Sequence, residues 1–311
     1  MIHRDDVDSA WVRIRPLIRR TPVIELERTD GSGAAVLKLE QLQHTGSFKA
    51  RGAFNRVLSA QESGDLDPRV GLVVASGGNA GLANAYAAAR LGVPAVVFVP
   101  ETAPAVKVAR LESYGAQVVK AGTEYAAAFA AAQEHVLSTG ALYCHAYDQP
   151  EIAAGAGTLA LELLEQTEGF DTVVVAVGGG GLMAGVAAAL EGRPVRVVGV
   201  EPETAPTLRA ALEAGAPTDV AVSGVAADSL GARQLGAIAW EVARRTAVQS
   251  VLVDDAAILA ARRQLWDRWR IVVEPGAATA FAGLTSGAFV PEPDERVAVV
   301  LCGANTDPVD L

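Results

Sequence analysis

Thr172-Val173-Val174-Val175-Ala176-Val177-Gly178-Gly179-Gly180-Gly181-Leu182-Met183-Ala184-Gly185-Val186-Ala187-Ala188-Ala189-Leu190 changes character twice. A β-branched run gives way to glycines, and the glycines to an alanine-rich segment. The stretch carries no charge and is nearly long enough to cross a bilayer. Four adjacent glycines would weaken a lipid-embedded helix badly. Strand, turn and helix inside an α/β core is the better reading.

A strand that empties into glycines just before a helix is an anion site in outline. The glycines let backbone N–H groups approach a phosphate, and the helix N-terminus adds favourable partial charge. A tight turn alone explains one or two glycines, not four. The run lacks the lysine of a P-loop, so a nucleoside triphosphate is not expected. Gly179, Gly181 and Ala184 also satisfy the dinucleotide spacing, with Glu201 about 20 residues on where a ribose-binding acid belongs. By pattern, an NAD-dependent oxidoreductase stays open. Against it, the motif lies mid-chain and has more glycines than the fingerprint needs.

The same rhythm extends in both directions. Apolar strand candidates at 35–39, 71–75, 95–99, 117–120, 141–144, 172–177, 195–200 and 297–302 alternate with helix-length segments such as 79–91, 103–114 and 125–138. Near-continuous Val/Ile/Leu runs in this βαβα order predict an α/β fold with buried parallel sheets. A length of 311 residues favours two lobes, with a boundary near Tyr147-Asp148-Gln149-Pro150. The net charge of −10 argues against nucleic acid as partner. Two cysteines, Cys144 and Cys302, build no disulfide framework and point to a reducing cytosol. The start, Met1-Ile2-His3-Arg4-Asp5-Asp6, is too acidic and polar for a signal peptide, so a cytoplasmic location with no membrane partner is expected. His3, His44, His135 and His145 do not pair at ligand spacing, so no zinc site is expected.

A second segment, Thr45-Gly46-Ser47-Phe48-Lys49-Ala50-Arg51-Gly52-Ala53, places a lysine where a helix begins. Ser47 or Thr45 is predicted to cap that helix. The helix dipole disfavours a cation in the first turn, and partial burial adds to the effect, so the Lys49 amine is pushed toward its neutral, nucleophilic form. Arg51 points elsewhere and serves structure. An ordinary surface lysine on an amphipathic helix is the plain alternative.

These segments, with Lys38-Leu39-Glu40, Ser76-Gly77-Gly78-Asn79-Ala80-Gly81, Glu274-Pro275-Gly276-Ala277 and Cys302-Gly303-Ala304-Asn305, make nearly the whole chain resemble one family. It is that of the fold type II pyridoxal phosphate enzymes (tryptophan synthase β-like), in the serine/threonine dehydratase branch that also contains serine racemase. The resemblance implies two lobes, each a mainly parallel sheet flanked by helices: a large one from 1–41 and 148–311, a small one from 42–147. It implies that Lys49 carries the pyridoxal 5'-phosphate as a Schiff base with Phe48 beside the ring. Gly178, Gly179, Gly180, Gly181 and Leu182 would hold the phosphate, Asn79 the ring's 3'-hydroxyl, and Cys302 would face the pyridine nitrogen. Ser76, Gly77, Gly78, Asn79 and Ala80 would take the substrate carboxylate. The plain alternative for Cys302 is a small buried residue at a strand end.

Departures from the family pattern sharpen the expectation. Serine racemase carries a serine at the position of Gly77, so racemisation should be poor. Ala80 stands where many threonine dehydratases have histidine, which looks closer to the serine dehydratase subgroup. The short stretch after Cys302 implies no regulatory domain. The family's cation site maps onto Glu201 and the carbonyls of Ala205, Leu230 and Ala232. Thr207 replaces the aspartate of magnesium-binding racemases, which favours potassium or sodium; Glu201 could equally be a solvated residue after a strand. The implied activity is L-serine/L-threonine dehydration to a 2-oxo acid and ammonia by a homodimer. A racemase or β-replacement enzyme, and a non-catalytic relative, are the alternatives within the family.

Overall fold

The computed structural model describes residues 1–26 and 35–307. Its strands are β1 Val23–Leu26, β2 Ala35–Lys38, β3 Leu72–Ala75, β4 Ala95–Val99, β5 Gln117–Lys120, β6 Leu142–Tyr143, β7 Thr172–Ala176, β8 Arg196–Pro202, β9 Gln249–Val253 and β10 Val297–Val300. The helices are α1 Arg4–Ile14, α2 Lys49–Ser63, α3 Asn79–Leu91, α4 Ala105–Glu112, α5 Tyr125–Thr139, α6 Pro150–Gln166, α7 Gly181–Ala189, α8 Thr207–Ala214, α9 Ala237–Thr246, α10 Asp255–Trp269 and α11 Pro275–Thr285.

Two sheets form, in the orders β1-β2-β10-β7-β8-β9 and β5-β4-β3-β6. All pairings are parallel except that of β1 with β2. The larger sheet draws on both ends of the chain, the smaller one on its middle. Strands β3, β4, β7 and β10 are buried throughout, as the continuous valine runs require of sheets covered on both faces.

Two strands lay outside the sequence reading. Val23–Leu26 is a short edge strand, and Gln249–Val253 alternates too weakly with its polar start to announce itself. Where the sequence placed a helix at 103–114, Pro104 closes the approach and the helix runs only over Ala105–Glu112.

Helix α6 is the spine on which the two helices of interest rest. A Cβ added to Gly52 of α2 would lie 2.7 Å from the Ile152 carbonyl, and one on Gly185 of α7 would lie 2.1 Å from the Ala153 carbonyl. Backbones therefore touch on both flanks of α6, as only glycine permits. The start of α2, with Lys49, is set close to the start of α7.

Below that contact four charges are sealed from water. Arg51 grips Glu40 through two hydrogen bonds of 2.8 and 2.7 Å and reaches Glu162 at 3.1 Å. Lys38 closes the group at 2.5 Å from Glu162. All four side chains are at most 1% exposed. Burial pushes the Lys38 amine down while its two carboxylate neighbours pull the other way. Each charge is compensated, so the network locks α2, α6 and β2 in one relative placement. Arg51 is the structural residue its position suggested.

Candidate active site

The lysine helix starts differently from the expectation. Phe48 already has helical angles (φ −53°, ψ −21°), and neither Ser47 nor Thr45 caps the helix. Ser47 is extended instead (φ −159°, ψ 159°), because it forms a β-bridge with Gly303. The Ser47 and Thr45 hydroxyls are both buried with no hydrogen-bond partner among the described residues.

That bridge brings the far end of the chain to the lysine. Phe48 N donates to the Cys302 carbonyl at 3.0 Å, and Ala304 N to the Gly46 carbonyl at 2.9 Å. Gly46 has a left-handed φ of 77°, and a Cβ there would press within 2.9 Å of Asn305 Oδ1. Lys49 Nζ lies 5.0 Å from the centre of the Phe48 ring. Desolvation brings the Lys49 pKa down to about 8, against the opposing pull of Cys302 and Glu274. Lys49 keeps partial contact with solvent, but it is not a surface lysine. Cys302 is 5% exposed, and burial pushes its thiol well above the usual range, so it stays a neutral, weak hydrogen-bonding group.

The glycine run lies across from this lysine. Gly180 has φ 85°, and α7 starts at Gly181. Among the described residues, the backbone N–H groups of Gly179, Gly180, Gly181 and Leu182 have no partner. Unpaired donors at the start of a helix are what an anion needs. Leu230 packs on Gly178, where an added Cβ would meet its Cα at 3.0 Å.

Lysine and glycine run are joined by two residues. Lys49 Nζ donates to the Ala146 carbonyl at 2.7 Å. The next residue, Tyr147, lays its ring on Gly179: a Cβ there would be 2.5 Å from three ring carbons, and one on Gly181 would be 2.7 Å from the Tyr147 carbonyl. His145 Nδ1 accepts from the backbone N–H groups of Tyr147 (3.1 Å) and Asp148 (2.9 Å), which fixes its proton on Nε2. Burial keeps this imidazole below its ordinary pKa. Asp148 in turn accepts from the N–H groups of Ala237 and Ile238, both at 3.0 Å, and anchors the start of α9. The sequence reading gave these residues no role. Their signal was position: they follow β6 at the C-terminal edge of a parallel sheet, where ligands of open α/β sheets bind.

Opposite, Glu274 organises the small-lobe loop. It accepts from Asn79 Nδ2 at 2.7 Å and from Asn305 N at 3.0 Å, and Asn305 Nδ2 donates to Asn79 Oδ1 at 2.5 Å. Burial raises the Glu274 pKa to about 7. Asn79 is thereby fixed between Glu274 and Asn305 at the start of α3. Ser76, Gly77, Gly78 and Asn79 remain partly exposed, while Ala80 is buried. A Cβ on Gly77 would touch only a Val99 methyl at 3.4 Å, and one on Gly78 would meet nothing within 4 Å. The cleft is open at this loop.

Glu201 is no solvated residue: it is buried inside β8. Its carboxylate accepts from the N–H groups of Leu208 (2.6 Å) and Arg209 (2.9 Å) at the start of α8. Burial brings its pKa up to about 7. Thr207 Oγ1 links it to the glycine run, 3.2 Å from Glu201 Oε1 and 2.5 Å from the Gly178 carbonyl. Ala205 and Leu230 are buried and Ala232 is half-buried. Among the described residues no cluster of three or more His, Cys, Asp or Glu could hold a metal.

Residues 14–303 match the family of pyridoxal-phosphate dependent enzymes. The chain belongs to that family. Among curated proteins it is 39% identical over 300 residues to a phenylserine dehydratase of Ralstonia pickettii, covering 96% of this chain and 89% of that protein. Among solved structures it superposes on a T.th. threonine deaminase with a TM-score of 0.90 at 36% identity, over 98% of this chain and 99% of the other. It also superposes on a serine racemase from Dictyostelium discoideum with a TM-score of 0.89 at 30% identity, over 98% and 99%. The two-lobed fold type II architecture expected from the resemblance is therefore the one present.

Pyridoxal phosphate suits this cleft. An amine of depressed pKa stands near four N–H groups that have no partner among the described residues. The nicotinamide reading falls, because the family is a pyridoxal phosphate one and Glu201 spends its carboxylate on the amides of α8. Among the described residues no helix is long and apolar enough to cross a membrane, and the uncharged stretch at 172–190 is strand, turn and helix.

Proposed function

We propose that this pyridoxal-phosphate dependent enzyme is a dehydratase of β-hydroxy-α-amino acids, L-serine and L-threonine among them. Water leaves and hydrolysis follows, so the products are a 2-oxo acid and ammonia. The relatives named as dehydratase and deaminase support this reading, and one observation in the cleft carries it. Lys49 Nζ, held by the Ala146 carbonyl and desolvated to a pKa of about 8, is a base suited to take a proton from the substrate Cα near neutral pH.

When bound, pyridoxal phosphate supplies the electron sink that makes that proton acidic enough to remove. The chain supplies position. In this reading Lys49 would carry the cofactor, the N–H groups of residues 178–182 would hold its phosphate, Phe48 would flank its ring, and Asn79, held by Glu274, would take its 3'-hydroxyl. Cys302 would face the pyridine nitrogen, where its neutral thiol would be only a weak hydrogen-bond partner, which suits prompt loss of a β-hydroxyl. The loop of Ser76, Gly77, Gly78, Asn79 and Ala80 takes the substrate carboxylate. Gly77 offers no hydroxyl to deliver a proton to the opposite face, which favours elimination over racemisation.

The proposal extends to the assembly around the site. The lobes run over 1–41 with 148–311 and over 42–147, as the membership of the two sheets suggests. A potassium or sodium ion near Glu201 and the carbonyls of Ala205, Leu230 and Ala232 would compensate a buried carboxylate that has no ion-pair partner among the described residues. A cytoplasmic homodimer completes the reading.

The test is a panel of L-serine, L-threonine and 3-phenylserine scored by 2-oxo acid and ammonia release. Release from at least one, abolished in a folded Lys49→Ala variant, is the expected result. Cofactor retention without ammonia from any of them would replace the reading with a non-catalytic relative, and D-serine in place of 2-oxo acid would replace it with a racemase.

A further inference from the structure

The aromatic residues of the small lobe line up. Tyr125 and Phe129, one turn apart on α5, have ring centres 6.2 Å apart. Phe129 meets Tyr143 edge-on at 6.1 Å, Tyr143 meets His145 at 6.2 Å, and His145 meets Tyr147 at 4.7 Å. The inner end of this line is the ring that covers Gly179, one residue from the carbonyl that holds the Lys49 amine. The outer end, Tyr125, is 53% exposed and opens α5 at the C-terminal edge of the smaller sheet.

Packing alone does not account for the inner tyrosine. A buried tyrosine ordinarily finds a partner for its hydroxyl. That of Tyr147 has no hydrogen bond to a described residue, and it is not among the enclosed, unpartnered polar atoms. The ring is half-buried and its hydroxyl reaches solvent. Burial, and after it the nearby Tyr125, keep this phenol protonated, so the wall presents neutral rings. The loop at Gly77 and Gly78 leaves β3 at the same edge from which Tyr147 follows the neighbouring parallel strand β6, and it is free of side-chain bulk. A substrate whose carboxylate lies on that loop has room for a large β-substituent.

We propose that the line from Tyr147 to Tyr125 is a recognition wall for an aryl group on the substrate's β-carbon. Tyr147 and Tyr125 are the specificity-determining residues, and the preferred class is β-aryl-β-hydroxy-α-amino acids, with 3-phenylserine the simplest member. This assignment rests on the dehydratase reading for its chemistry but on the rings for its selectivity. A flat apolar wall gains edge-to-face and stacking contacts from a phenyl group that a methyl or hydrogen cannot supply.

The holoenzyme and its Tyr147→Leu and Tyr125→Ser variants are compared by the ratio of kcat/KM for 3-phenylserine to that for L-threonine. A second readout, independent of turnover, is the ratio of calorimetric Kd values for L-alanine and L-phenylalanine, neither of which has a β-hydroxyl to lose. Both wild-type ratios are expected to favour the aromatic ligand by about tenfold or more, and Tyr147→Leu to cut both by about tenfold. Tyr125→Ser should cut them by about threefold, and it stands as the readout if Tyr147→Leu fails to fold. Wild-type ratios near one, or ratios unmoved in folded variants, overturn the wall while threonine dehydration leaves the dehydratase reading intact. No release from any β-hydroxy amino acid, with the L-phenylalanine preference present and lost in the variants, sinks the dehydratase and keeps the wall.

Discussion

The depressed Lys49 amine makes a quantitative prediction about cofactor capture. Only a neutral amine attacks an aldehyde. With a pKa of about 8 the neutral share at pH 7 is about 10%, against about 0.03% for an ordinary lysine at 10.5, a gain of roughly 300-fold. The apoprotein mixed with pyridoxal phosphate in a stopped-flow spectrometer should therefore show a capture rate that climbs tenfold per pH unit below about 8 and levels off above it. N-acetyl-lysine, run in parallel, corrects for ionisation of the aldehyde itself and should show no break before about 10. Stability follows the same shift. Between about pH 8 and 10.5 the unfolded chain still holds the proton that the folded one has released, so stability rises with pH across that window, by about 3 kcal/mol in all. Lys49→Met should be more stable than the wild-type apoprotein at pH 7 by about 2 kcal/mol, after about 1 kcal/mol lost at the Ala146 carbonyl. A capture rate that tracks the model amine without a break near pH 8 would refute the desolvated setting, and with it the base assigned to the reaction.

Three further outcomes follow from the geometry. Arg51→Met leaves Glu40 and Glu162 buried without their principal counter-charge and should cost about 3–5 kcal/mol in urea unfolding; a loss under 1 kcal/mol would show the network to be dispensable. Gly179→Ala drives a methyl into the Tyr147 ring, so it should cost about 1–3 kcal/mol and weaken pyridoxal phosphate retention on dialysis; full retention would mean that the ring swings away freely. Gly77→Ser fits without collision, since its Cβ touches only Val99, and should let D-serine appear in L-serine recovered from the reaction by chiral chromatography. Unchanged enantiomeric purity in a variant that still eliminates would remove the missing hydroxyl as the reason for elimination.

Much of the scaffold was legible because parallel strands buried on both faces leave continuous valine runs, as at Val173, Val174 and Val175 and again at Val297, Ala298, Val299 and Val300. Lys49 and the glycine run stood out in the sequence too, since each is a residue type that local structure alone does not explain. The cap of α2 was misread because Ser47 is committed to a bridge with Gly303, a partner more than 250 positions away that spacing cannot reveal. Tyr147 was invisible for a related reason. Its value lies in what its ring covers, Gly179, and nothing in the run Cys144-His145-Ala146-Tyr147-Asp148 announces that neighbour. Glu201 fitted a ribose-binding pattern by count, but its carboxylate was claimed by the amides of the helix that follows.

The seat of β10 has a consequence for biosynthesis. This strand, the last in chain order among the described residues, lies between β2 and β7 in the middle of its sheet. Until the ribosome has made it, those two neighbours each carry an open hydrogen-bonding edge, and Lys49 lacks the segment that walls its site. A nascent chain is thus sticky and unable to grip its cofactor until β10 has emerged, and a truncation that removes even a few residues of β10 should behave as an aggregation mutant rather than a slow enzyme.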